Sequence, residues 1–273
     1  MEKKTWFAYH KEFGWVYCEK KMQGLDKKLN IKILRTGETF VEDPDVLELN
    51  PFLYIQEEKY LNRINKNEKE FKIQELIGLK RKNGLIKNVK DLKDYERIVF
   101  YKRIFREKKV KSLFHFTASE NFENIMESRF LYSIDQLKKQ GKSFTNISDE
   151  LSRSIDSNKK TSNYVRLCYN PEHPMMYVAK KDRGINRFLI IEISIEVVFY
   201  EKCLFSDINA GDKNATISDS LEFIENLDLS FATLKKGNYL SLNAEEKKKF
   251  QSEILIFEKI SKDYFLNHYI KEI

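Results

Sequence analysis

Two patterns in this chain could act on a multiply hydroxylated or anionic ligand. The first is His115-Phe116-Thr117, at the end of an alternating run from Leu113 to Phe116 that reads as a short strand. His115 and Thr117 are two residues apart, so a strand carries the imidazole and the hydroxyl on one side. Glu120 follows Thr117 at capping-box spacing, and Phe122, Ile125 and Met126 then give one apolar helical face. The free N–H groups of such a helix N-terminus would stand beside both side chains and favour an anion. The second pattern is Glu253, which opens the apolar run Glu253–Phe257 and shares a strand face with Leu255 and Phe257. A carboxylate on a core-facing side is costly unless it has partners or a chemical task. Each residue alone also has a plain structural reading: a packed histidine at a strand end, or a glutamate at a strand edge that reaches water.

The elements that must position these residues follow from periodicity. Tyr164–Tyr169 reads as a strand, Asn170–Pro174 as a turn, and Met175-Met176-Tyr177 follows. Arg187–Ser194, RFLIIEIS, has the near-continuous apolar content of a buried strand. Cys203-Leu204-Phe205 is a short strand running into Ser206–Gly211, and the Lys-rich helix Ala244–Phe250 leads into the Glu253 strand. Between the first strand and Tyr164 lies a polar loop, Lys138–Asn163, with a possible short helix at Ile147–Ile155 that carries Arg153. A loop of that length in a compact domain is usually a lid or a binding loop. The alternation of strands and helices gives a mixed α+β domain over 112–273.

Ahead of it, residues 1–111 read as an accessory module. Residues 1–60 are rich in aromatics, among them Trp6, Phe7, Tyr9, Phe13, Trp15 and Tyr17, which suit either base stacking or a core. Trp15–Cys18 and Ile31–Leu34 read as strands, and residues 68–82 as a helix. A second helix is expected near Val89–Lys108, with Leu92, Tyr95, Val99 and Phe105 on its apolar face. Lys90, Lys93 and Arg97 fall on another face, with Arg103 and Arg106 beyond them.

Composition bounds the rest. The chain has 273 residues, 41% apolar and 33% charged, enough for one large or two modest domains. Its net charge of +7 is uneven: residues 80–111 hold 13 basic and 4 acidic side chains, net +9. That band suggests a polyanionic partner, although a solvated basic helix gives the same pattern. Cys18, Cys168 and Cys203 form no disulfide framework, which fits a reducing cytosol. The four histidines show no metal spacing, so no metal is expected. The start MEKKTWFAYHKE has no apolar h-region of a signal peptide, and no apolar run is long enough to span a bilayer. A cytoplasmic protein with no membrane role is the expectation.

Four stretches in order then carry a resemblance: His115-Phe116-Thr117, NPEHPMMY at 170–177, SDINAG at 206–211 and QSEILIF at 251–257. Their order and spacing resemble the DarT-like ADP-ribosyltransferases, toxins that modify nucleic-acid bases using NAD, over roughly residues 112–262. The resemblance implies a PARP-like fold with a mixed, split β-sheet core. It implies that His115 and Thr117 anchor NAD, with Asn124 or Asn121 in the same pocket. Arg153 corresponds to the loop arginine beside the pyrophosphate and reaction centre, and Met175 to the residue that packs near the nicotinamide. Asn209 stands where some members have a histidine, and Cys168 where a tyrosine is common. Glu253 matches the catalytic glutamate.

Breaking the nicotinamide–ribose bond generates an oxocarbenium-like centre, as in glycoside cleavage. A carboxylate can stabilise that charge or accept the proton of an attacking base nitrogen. An arginine can hold the diphosphate bidentately. The expected function is mono-ADP-ribosylation of a base in single-stranded DNA, by a toxin of a toxin–antitoxin or phage-defence system. The expected partners are NAD, single-stranded DNA or RNA held by Lys90, Lys93, Arg97, Arg103 and Arg106, and an antitoxin of the ADP-ribosyl-removing macrodomain type. Alternatives are the same chemistry on RNA, a non-catalytic nucleic-acid-binding protein, and an enzyme that modifies protein.

Overall fold

Arg187–Ser194 (β9), all but continuously apolar, runs through a seven-stranded antiparallel sheet and is buried at five of its eight positions. In a computed structural model, residues 4–23, 26–42, 54–145, 161–234 and 239–273 of the chain are described. They divide into two units, residues 1–87 with 91–99, and residues 88–90 with 100–273.

The first unit holds a five-stranded antiparallel sheet: Lys4–His10 (β1), Gly14–Gln23 (β2), Asp26–Ile33 (β3), Thr39–Glu42 (β4) and Tyr54–Gln56 (β5). Its order is β4-β3-β2-β1-β5. One face buries Ala8, Val16, Cys18, Leu29, Ile31 and Ile33, with Trp6, Phe13 and Phe40 packed against them. On the other, Tyr9 stacks on Tyr60 with ring centroids 4.1 Å apart, and Trp15 meets both rings edge-on. The N-terminal aromatics named from the sequence therefore largely serve packing. Among the described residues this unit holds the helices Glu57–Leu61 (α1) and Lys66–Lys82 (α2) and the start of a third.

The helix expected over Val89–Lys108 is broken. Val89–Asp91 is a single 3-10 turn, and the α-helix runs Asp94–Glu107 (α3). The Glu96 carboxylate accepts the Lys93 N–H at 2.9 Å, and the Asp91 carboxylate accepts the Lys87 N–H at 2.9 Å. The Glu96 side chain thus satisfies the Lys93 N–H, a backbone donor that a continuous helix would have used itself. The division between units also falls earlier than 111/112. From Phe100 onward the chain belongs to the second unit, where Tyr101 stacks near Phe105, Phe199 and Phe205 and its hydroxyl lies 3.2 Å from Cys203 Sγ.

The other strands of the large sheet are Ser112–Ala118 (β6), Tyr164–Cys168 (β8), Cys203–Ser206 (β10), Ile217–Ser218 (β11), Glu253–Phe257 (β12) and Phe265–Glu272 (β14). Their order is β11-β10-β12-β8-β6-β9-β14. β6 pairs with β9 over all seven residues, and β12 pairs with β8 over all five of its own. Between these two blocks, β6 and β8 pair only at Phe114–Cys168. The sheet therefore splits there, as expected of the core. Phe130–Tyr132 (β7) and Lys259–Ser261 (β13) form a separate two-stranded ribbon.

Thr117 does not cap a helix, as its spacing to Glu120 suggested: it lies inside β6. A 3-10 turn, Ser119–Asn121, intervenes before the helix Phe122–Ser128 (α4). Continued pairing of Thr117 and Ala118 with Leu189 and Phe188 on the buried β9 outweighs the local capping preference.

Candidate active site

The split between β6 and β8 opens a cavity of about 170 Å³, lined by His115, Thr117, Asn124, Met175, Asn209 and Glu253 among others. Six of the residues expected at the NAD site from the sequence thus border one cavity. The seventh, Arg153, lies outside the described residues.

Glu253 is fixed at both ends. Its backbone is in the sheet between Ser206 of β10 and Cys168 of β8. The next three residues, Ile254, Leu255 and Ile256, have no exposed surface, and burying each side chain contributes about 1.5–3 kcal/mol. The helix before it, Ala244–Phe250 (α9), begins with a capping box between Asn243 and Glu246. Ser252 Oγ then donates within hydrogen-bond reach of the carbonyls of Asp207 and Lys249, at 2.6 and 2.7 Å. Only 4% of Glu253 is exposed. Its Oε2 accepts the Ala210 N–H at 2.7 Å and lies 3.6 Å from Arg166 Nη1. Burial pushes the Glu253 carboxyl above its ordinary range, while the Arg166 charge and the Ala210 N–H oppose that rise.

Arg166 is a member of the site that the sequence reading did not single out. Its Nη1 also donates to Asn209 Oδ1 at 3.4 Å, and the same oxygen accepts the Gly211 N–H at 2.8 Å. Asn209 therefore ties the 206–211 loop to Arg166. A signal for Arg166 was present. It is a charge inside the apolar strand YVRLC, on the same face as Cys168, just as Glu253 is a charge at the head of EILIF.

Two histidines border the cavity with opposite polarity. His115 Nδ1 lies 3.0 Å from the Arg166 carbonyl, which can only accept, so Nδ1 carries the proton. Burial holds the His115 ring below its ordinary pKa, which leaves Nε2 as an acceptor in the neutral ring. His173 is the reverse case. It is the N-cap of Pro174–Arg183 (α6), and its Nδ1 accepts the Met175 N–H at 3.3 Å. Burial, and then the Arg166 charge, push its pKa down to about 3. The neutral ring must therefore carry its proton on Nε2. The ring stacks on Phe116 at 4.9 Å, and Nε2 is buried without a partner among the described residues.

Of the two asparagines left open by the sequence, Asn121 is the buried one. Its amide donates to Thr117 Oγ1 at 2.8 Å and to the Thr145 carbonyl at 2.9 Å, and its Oδ1 accepts the Thr145 N–H at 2.8 Å. Asn124 is exposed on α4 and reaches the rim of the cavity. Cys168, where a tyrosine was noted as common, borders the cavity as a buried thiol. Burial and the neighbouring Glu253 push it up to about 12.

The basic band is less free than its composition implies. Lys80 is 3% exposed, bonded to Glu96, with Glu57 at 3.9 Å. Lys93 pairs with Glu57 at 3.0 Å and Arg97 with Asp94 at 2.9 Å. Arg103 pairs with Glu225 and, at 3.4 Å, with Glu107. Lys90 and Arg106 are exposed. Among the described residues no helix is long and apolar enough to cross a membrane, and no His, Cys, Asp and Glu cluster could hold a metal ion.

The sequence has no match among curated proteins. The solved structures most like this chain include Thermus sp. 2.9 DarT in complex with ADP-ribosylated ssDNA, at 17% identity and TM-score 0.48, covering 57% of this chain and 79% of that one. The same Thermus protein in complex with NAD+ matches at 17% identity and TM-score 0.45, with the same coverage. Thermosipho africanus DarTG in complex with ADP-ribose matches at 16% identity and TM-score 0.47, covering 60% of this chain and 44% of that one. The sequence profile described as "DarT: ssDNA thymidine ADP-ribosyltransferase, DarT" matches residues 114–272, more than half of the chain and all of the split sheet but Ser112 and Leu113, with its cavity; the chain belongs to the DarT family of ADP-ribosyltransferases.

Proposed function

We infer that the cavity at the sheet split binds NAD and that Glu253 is its catalytic carboxylate, directing ADP-ribose onto a thymine base of single-stranded DNA. NAD-dependent ADP-ribosylation of DNA is the activity of the family to which the chain belongs. The observation that carries the assignment of Glu253 is its burial at 4% exposure in the cavity, held by the Ala210 N–H and beside Arg166.

NAD suits the residues present. His115 offers an acceptor for a ribose hydroxyl, Thr117 a hydroxyl, and Arg166 a cation, in a cavity whose lining also includes the apolar Phe116, Ile125, Leu131 and Val165. When bound, NAD supplies an activated ribosyl carbon with nicotinamide as the leaving group. Glu253 orients a ribose hydroxyl and stabilises positive charge as it develops at that carbon. The same carboxylate takes the proton released by the attacking base nitrogen. Arg166 opposes the rise that burial imposes on the Glu253 carboxyl, and Asn209 holds Arg166 in place.

An extruded base must reach this cavity, and exposed cations must hold its strand. Of the five band cations expected to hold the strand, Lys90, Lys93 and Arg106 are exposed; Lys93, Arg97 and Arg103 would have to leave their carboxylates first. Unchecked base modification makes the chain a toxin in the cytoplasm, and an ADP-ribosyl-removing macrodomain its antitoxin partner. These roles are supported by the resemblance noted from the sequence.

The test is incubation with labelled NAD and, separately, thymine-containing single strands, thymine-free single strands, RNA and protein. Label on the thymine-containing DNA alone is the expected result. Label on RNA or on protein instead would replace the substrate while keeping the chemistry.

A further inference from the structure

His173 is a buried donor with no acceptor among the described residues. Only 1% of the residue is exposed, and its Nε2 has no hydrogen-bond partner among the described residues. A buried N–H left unpaired costs about 1–3 kcal/mol, so such a group in a site usually has a ligand to meet. The residue borders the cavity that holds Glu253. Two further observations narrow the ligand. The ring is neutral, so a neutral acceptor suits it better than a phosphate, which pairs best with charged donors. The ring also lies nearly parallel to Phe116, at 23°, with Met175 two residues on. Phe116 and Met175 border the same cavity, so the Nε2–H is flanked by apolar side chains that suit a planar ring.

We propose that His173 is a substrate-recognition residue whose Nε2–H receives an amide-type carbonyl oxygen of a planar ring at the Glu253 end of the cavity. The inference rests on the reading of this cavity as the NAD site. Two ligands bring such a carbonyl to the reacting end: the carboxamide of the nicotinamide in NAD, and a pyrimidine base entering as acceptor.

The structure supplies a pair of variants that separate recognition from folding. In His173→Asn, the side-chain oxygen still accepts the Met175 N–H and caps α6, because asparagine is among the best N-caps. Its amide is too short to reach the former place of Nε2. In His173→Gln, the longer amide restores a donor at that reach and gives up the cap. Melting temperature reports the cap, and ligand binding reports the donor.

The experiment measures melting temperature, calorimetric affinity for NAD and for ADP-ribose, and the KM for a thymine-containing oligonucleotide. If the carbonyl is the carboxamide, His173→Asn binds NAD about tenfold more weakly, the effect of one lost hydrogen bond. ADP-ribose, which lacks the nicotinamide, binds it as tightly as wild type. If the carbonyl belongs to the base, NAD affinity holds while the oligonucleotide KM rises about tenfold and the preference for thymine relaxes. In either case His173→Gln recovers most of the loss. An Asn variant of wild-type melting temperature that is unchanged in NAD affinity and oligonucleotide KM overturns the proposal; so does one that loses NAD and ADP-ribose equally. A wild-type protein that binds no NAD overturns the reading of the cavity, and this inference with it.

Discussion

Arg166 and Glu253 are diagonal neighbours across the β8–β12 ladder, with Nη1 and Oε2 3.6 Å apart in the wall of the cavity. The separation is that of an ion pair without a tight hydrogen bond, and the carboxylate takes its short contact from the Ala210 N–H instead. The pair leaves the charge on Glu253 available to a ligand while offsetting part of the cost of burying it.

Removing the guanidinium should therefore act through Glu253. Arg166→Ala takes away a charge that opposes the upward shift of the carboxyl, so the shift grows. The acid limb of the pH–rate profile should move to higher pH, with at least about tenfold lower activity near neutrality and partial recovery in alkaline buffer. Arg166→Lys should retain part of the effect. A profile of unchanged shape in Arg166→Ala would show that the ion pair is only structural.

The two buried imidazoles predict acid lability. His173 is pushed down to about 3 in the folded protein, and burial lowers His115 as well. Below the ordinary histidine pKa of about 6.5 the unfolded chain takes up protons that the folded rings refuse. Stability contributed by these groups is thus fully present above that value and lost as pH falls toward about 3. Glu253 has the opposite sign. Its raised carboxyl contributes stability below the ordinary carboxylate pKa and loses it as pH rises through the folded value. Denaturant titrations should show wild type losing stability between about pH 6.5 and 4, more steeply than His173→Asn. Glu253→Gln should gain on wild type as pH rises toward neutrality. Parallel curves for wild type and His173→Asn would contradict the assigned neutral ring.

Exposed band cations should hold DNA by its phosphates. Lys90→Glu with Arg106→Glu should weaken single-strand affinity and flatten its salt dependence, by about 0.7 log–log units per lost contact. NAD affinity should be unchanged. Reversal at Lys93 or Arg103 is a poorer probe, because each breaks a pair with Glu57 or Glu225 and so disturbs the fold. Identical salt slopes in wild type and the double variant would reduce the band to a solvated face.

The strands were legible in the sequence because burial on both faces leaves long apolar runs: Arg187–Ser194 and Glu253–Phe257 have the same bounds in the structure as in the reading. Helix starts were less legible. Thr117 has a capping residue's spacing, but its place on β6 is decided by pairing with Leu189, which no local pattern reports. The break before Asp94 depends on the side chains of Asp91 and Glu96, whose spacing alone reads as helical. In the site, His115 and Glu253 were found as polar residues in apolar strands. Arg166 and His173 carry related signals, but only the fold brings them to Glu253 and Phe116. The charge of the band was countable, whereas its neutralisation by Glu57 and Glu225 involves residues far away in sequence.

The most direct test of the account is the transfer of label from NAD to a thymine-containing single strand by wild type and by Glu253→Gln. The substitution is nearly isosteric and keeps an oxygen for the Ala210 N–H, so the fold and the NAD affinity should hold within a few-fold. The carboxylate matters when charge develops, so the loss should fall on the rate rather than on binding. The account predicts label on the DNA with wild type and a rate lower by about 10²–10⁴ with Glu253→Gln. Equal labelling by the two proteins would contradict it.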